Sequence, residues 1–147
     1  MMGLRKPDPQ AKIDTFHRKR VDALVRKIQI IRGPSQLNLN DRDIASFLRD
    51  ASLEDWLLCR YSIPHGPAGA FSLSQNDIER LSLLVAIADA LGQDMAGPSM
   101  AAAFKTPRYG LGGLISLKEY LATRPDVSDI QRVVEGLRHR GANATAC

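Results

Sequence analysis

The chain has 147 residues, 44% hydrophobic and 24% charged, which suits one globular domain or two small ones sharing a core. Only 5% is aromatic, so the core rests on Leu, Ile, Val and Ala, a set that favours helix-on-helix packing over a β-sandwich. Formal net charge is +4, and no run approaches the roughly 18 apolar residues that a membrane span requires.

The charge is unevenly placed. Nine bases against three acids give +6 up to Arg32, leaving −2 for the remainder. Such asymmetry points to an anionic partner for the N-terminal segment, nucleic acid first, with a solvated basic face as the equal alternative. The opening Met-Met-Gly-Leu-Arg-Lys-Pro has no apolar stretch and no small-residue cleavage site, so a cytoplasmic location is expected. Cys59 and Cys147 are then expected as reduced thiols. His17, His65 and His139 stand apart from each other and from the thiols, which speaks against a zinc site, and no cofactor is expected.

Helix signals recur along the chain and strand signals are nearly absent. Asp8-Pro9 reads as an N-cap followed by proline at the first helical position. From there Ile13, Phe16, Leu24, Val25, Ile28 and Ile31 recur on one face until Gly33-Pro34. Asn40-x-x-Asp43 opens a second helix burying Ile44, Phe47 and Leu48. Ser52-x-x-Asp55 opens a third, with Leu53, Trp56, Leu57 and Tyr61 as its apolar positions. The stretch 63–69, rich in Pro and Gly, reads as a loop between halves. Ser74-x-x-Asp77 forms a capping box for the fourth helix, stapled by Leu73 and Ile78, with Gly92 closing it. A fifth is expected from Pro98 to Lys105. A sixth starts at Ser116-x-x-Glu119, stapled by Ile115 and Tyr120, and Pro125 ends it. The last runs from about Ser128 to Arg140, with Gly141 as terminator and a mobile tail beyond. The expectation is an all-α protein of about seven helices.

Helices two and three, joined by Arg49-Asp50-Ala51, suggest a helix-turn-helix. Arg49 occupies the place where such a turn carries glycine, and Glu54 and Asp55 open the would-be recognition helix, where they would repel phosphates. A degenerate unit kept for packing or dimerisation is the alternative. Lys19, Arg20, Arg26, Lys27 and Arg42 are the candidate DNA contacts. Asp77 and Glu79 read as helix-start charges. No metal motif, nucleophile elbow or phosphate loop appears, since Gly110-x-Gly112-Gly113 follows a helix pattern and not a strand; an enzyme is not expected.

The segment 74–141 resembles the toxin-binding domain of the MbcA/ParS/Xre antitoxin family. The resemblance is carried by Arg80-Leu-Ser-Leu-Leu, Ile87-Ala-Asp-Ala-Leu91, Phe104-Lys-Thr-Pro107, Leu111-Gly-Gly113 and Ser116-Leu117. Arg108 stands where the family usually has Asn, and Ser116 where it has a proline. The resemblance implies a type II antitoxin that binds a RES-domain toxin, an enzyme that consumes NAD, obstructs its pocket with C-terminal elements, and represses its own operon as a dimer. It divides the chain into a helix-turn-helix-like DNA-binding or dimerisation region, 1–73, and a toxin-binding domain, 74–147. The toxin contacts expected on that basis are Phe104, Lys105, Arg108, Tyr109, Leu111, Gly112, Gly113, Arg138, Arg140 and Cys147. A DNA-binding regulator without a toxin is the second reading.

Overall fold

A computed structural model describes residues 9–61, 73–93 and 97–145, without the side chains of 9–18, 97, 98 and 140–145. Among them are seven helices: α1 (Pro9–Ile31), α2 (Asp41–Phe47), α3 (Leu53–Tyr61), α4 (Gln75–Gly92), α5 (Gly97–Lys105), α6 (Leu117–Ala122) and α7 (Val127–Thr145). The protein is all-α. Among the described residues no helix is long and apolar enough to cross a membrane. The only β pairing among them is an isolated antiparallel bridge between Arg108 and Ile115. The expected loop at 63–69, and Asp8 at the start of α1, lie outside the described residues.

Side-chain caps set the helix starts. Asn40 and Asp43 exchange both bonds of a capping box (2.8 and 3.0 Å), and Ser52 and Asp55 do the same for α3. Ser116 accepts from the Glu119 N–H at 3.0 Å to open α6. One hydrophobic cluster runs from Val21 to Val134, drawing on α1–α7 together, so the regions before and after the 62–72 segment share a core. Its largest fully buried side chains include Trp56, Phe104, Ile28, Ile44, Leu81 and Ile87. Burying each such side chain contributes roughly 1.5–3 kcal/mol, before the entropy of ordering it is counted. α4 packs on α1, α5 and α7, while α2 packs on α3 and α6.

Asp77 departs from the sequence expectation. Ser74 caps its N–H (3.1 Å), but the Asp77 carboxylate does not return to close the box. It turns instead to the α2–α3 link, where it accepts from the backbone N–H groups of Arg49 (2.6 Å), Asp50 (3.1 Å) and Ala51 (2.9 Å). The side chain is wholly buried. One turn on, buried Arg80 donates to the carbonyls of Phe47 (3.0 Å) and Pro125 (2.5 Å). Burial pulls the Arg80 pKa below the ordinary arginine value, with the Asp77 charge opposing that fall. Its Nη2 is buried with no hydrogen-bond partner. α4 thus holds the end of α2, the link to α3 and the link from α6 to α7 through one acid and one base.

A second polar hub joins the first three helices. Asp41 accepts from Trp56 Nε1 (2.9 Å) and pairs with Arg32 (2.8 Å) and Arg60 (2.5 Å). Burial works against ionisation of Asp41, but these hydrogen bonds and the two guanidinium charges outweigh it and hold the carboxyl below its ordinary value of 3.8.

Two expectations are corrected. Tyr61 is 68% exposed, with the Arg60 guanidinium 4.8 Å over its ring, and not an apolar core position. Gly141 does not end α7, which continues to Thr145. No proline follows Gly141 as Pro34 follows Gly33, and glycine alone only weakens a helix.

Asp77→Ala would remove the acceptor of three N–H groups, the Ala51 one buried, and take one of the acidic charges that support the Arg80 cation. A loss of roughly 3–5 kcal/mol is expected in urea unfolding, a large share of a small domain's total stability. For Asp41, a folded-state pKa below the unfolded one adds stability that is full above the unfolded value and lost as pH falls through the folded value. Asp41→Asn should therefore lower the thermal midpoint at neutral pH, and the gap to wild type should narrow in melts taken below pH 3.8.

Candidate interaction surfaces

The segment between α5 and α6 closes on a narrow base. Arg108 and Ile115 exchange both backbone hydrogen bonds (2.9 and 3.3 Å), closing a six-residue tip at 109–114. Gly110 and Gly112 have φ of +100° and +88°, which L side chains rarely adopt, so these two glycines make the tip possible. Gly113 has no positive φ, and the space around it is open. Tyr109 (77% exposed) and Leu114 (55%) project from the tip, while Leu111 turns back onto the core.

Beside this tip lies a groove of about 190 Å³ against α7. Its apolar lining comes from Leu111, Leu117, Val133 and Leu137, and its charged lining from Arg108 and Arg132. Among the described residues no carboxylate lines it. Arg108 Nη2 donates to the Ala103 carbonyl at 3.2 Å, which fixes the guanidinium at the groove edge. The Arg132 side chain is 81% exposed and only loosely paired with Asp129, at 3.7 Å. Gly136 completes the lining from the middle of α7. A Cβ there would meet nothing within 4 Å, so core packing does not require glycine. In a helix interior glycine costs about 1 kcal/mol relative to alanine.

The sequence candidates are distributed over several places. Arg108, Tyr109, Leu111, Gly112 and Gly113 belong to the tip and its base, and Arg138 is exposed further along α7. Phe104 is fully buried, edge-on to Phe47 at 6.2 Å, so it binds α5 to α2 and offers nothing to a partner. Lys105 points away from the groove and donates to the Asn38 carbonyl at 2.8 Å. The Arg140 side chain and Cys147 lie outside the described residues. The α7 half of the groove (Arg132, Val133, Gly136 and Leu137) is not among the sequence candidates. Its signal in the sequence is a glycine set between apolar positions of an otherwise regular helix.

On the other flank Lys19, Arg20, Arg26 and Lys27 are all exposed on α1, and Arg42 is exposed on α2. The faces of α1 opposite them bury Val21, Leu24, Val25 and Ile28. The α2–α3 link uses no positive φ. Cys59 is buried in α3; desolvation, helped by the Asp22 charge, pushes its thiol up to about 12, which favours the protonated form. Among the described residues no group of three or more His, Cys, Asp or Glu side chains could hold a metal ion. No family model, curated protein or solved structure matches this chain.

Proposed function

We propose that this protein is a cytoplasmic, non-enzymatic antitoxin that silences a RES-domain, NAD-consuming toxin. In this reading it grips the toxin through the 109–114 tip and the neighbouring face of α7. The observation that carries it is the tip itself. Two large apolar side chains project from a segment closed by a single bridge, next to an apolar groove, at the positions where the sequence resembles the toxin-binding domain of MbcA/ParS/Xre antitoxins. Exposed aromatic and aliphatic anchors beside a concave apolar surface are what a protein–protein hot spot uses. A C-terminal blocking element would act as the end of a helix, since α7 reaches Thr145. The toxin supplies the chemistry, and this chain supplies obstruction.

The exposed bases on α1 support a second role, operator binding by a homodimer, in which backbone electrostatics do most of the work. The same feature favours the alternative of a DNA-binding regulator with no toxin.

Co-expression with the reading frame next to its gene should rescue growth and yield a co-purifying complex, and Tyr109→Ala with Leu114→Ala should weaken that complex without loss of folding. Failure to recover any stable partner from its own operon would count heavily against the toxin reading. For DNA, replacing Lys19, Arg20, Arg26 and Lys27 with Ala should flatten the dependence of log K on log salt by roughly 0.9 for each phosphate that is no longer neutralised. An unchanged operator affinity at all salt concentrations would reduce the basic face to a solubilising role.

A further inference from the structure

We infer that the exposed face of α1 centred on Ala23 is a cradle for the phosphate backbone of duplex DNA, with Ala23 as its floor. The inference rests on the DNA-binding reading above and names the site and the residue that sets its depth. Position is its first basis. On a helix the neighbours of a residue lie three and four positions away, roughly 5–6 Å distant between Cβ atoms. For Ala23 those neighbours are Lys19, Arg20, Arg26 and Lys27, so all four adjoining positions carry a positive charge. All five residues are exposed. The two pairs stand two helical turns apart, about 10 Å along the axis, which leaves room for more than one phosphate between them.

The second basis is that these charges are unmet within the protein. None of the four forms a hydrogen bond or an ion pair among the described residues. Asp22, the one acid in the same stretch, lies at helical spacing from Lys19 and Arg26 but pairs with neither. Its Oδ1 is buried, and its charge bears on the Cys59 thiol. Four unpaired cations around one methyl group are complementary to a polyanion.

The rest of α1 narrows the polyanion to a duplex. A helix that lies on an anionic lipid surface inserts its apolar face, whereas Val21, Leu24, Val25 and Ile28 of α1 are buried in the protein core. Single strands are held largely by stacking on aromatic rings, and residues 19–31 include none. A duplex asks only for cations that can approach its phosphates closely, and a methyl group at 23 permits that approach.

The test uses the full chain and a short fluorescent duplex at low salt, with an unpaired strand of the same length and phosphatidylserine vesicles as further probes. Ala23→Leu should weaken duplex binding roughly tenfold, and Ala23→Glu should weaken it further. Ala23→Lys should strengthen binding and steepen the dependence of log K on log salt by roughly 0.9. Leu58→Glu makes the same change of charge at an exposed position on α3 and should cost less than about threefold. Circular dichroism on each variant checks that the fold survives. Equal losses from Ala23→Glu and Leu58→Glu overturn the cradle but leave the DNA reading, since the wild-type chain still binds the duplex. Vesicles or the single strand binding as tightly as the duplex also overturn it. A wild-type chain that binds no duplex removes the DNA reading and the cradle with it.

Discussion

A carboxylate with no exposure to water anchors this fold. Asp77 has exchanged its hydration for three backbone N–H groups at the turn between α2 and α3, all from residues more than 25 positions earlier in the chain. An unpaired buried carboxylate would carry a heavy desolvation cost, and so would the buried Ala51 amide left without its acceptor. Each therefore depends on the other being in place. Ser74 ties the same point again, capping the Asp77 amide while its hydroxyl donates to Asp50 at 2.6 Å. The start of α4 and the end of α2 are effectively one polar joint inside an aliphatic core.

Arg80, one turn on along the same face of α4, extends that joint. Its two bonds reach the last residue of α2 and the carbonyl before α7. Lys118 on α6, paired with Asp43, and Arg124 just after it, donating to the Ser46 carbonyl, add ties to α2 at the surface. Arg80 ties the chain just before α7 to α4, α7 then packs along α4 through Ile130 and Val134, and α7 in turn forms one wall of the groove.

Much of this is legible in the sequence because helix caps and apolar periodicity are local. Asn40, Ser52, Ser74 and Ser116 announce their helices with partners three residues away, and Leu24, Val25, Ile28 and Ile31 declare their buried face by spacing alone. Partner choice over long separations leaves no such trace. Asp77 looks like one more helix-start acid, since nothing near it in sequence reveals that its oxygens go to residues 49–51. Phe104 sits in a motif that suggests contact with a partner, whereas the packing of α5 on the rest of the core turns it inward onto Phe47. Gly141 carries a stop signal that works only when the following residues cannot continue the helix. Gly136 escapes notice because a mid-helix glycine reads as a tolerated defect until the space beside it is known.

The shared core carries a consequence for turnover. Because Val21 on α1 and Val134 on α7 belong to one apolar cluster, the basic flank and the grooved flank have no separate means of staying folded. Cleavage or local melting that breaches that cluster extinguishes both surfaces in a single event, and a ligand engaged on either flank protects both from the proteases that would end them. The lifetime of one surface would then depend on whether the other is occupied.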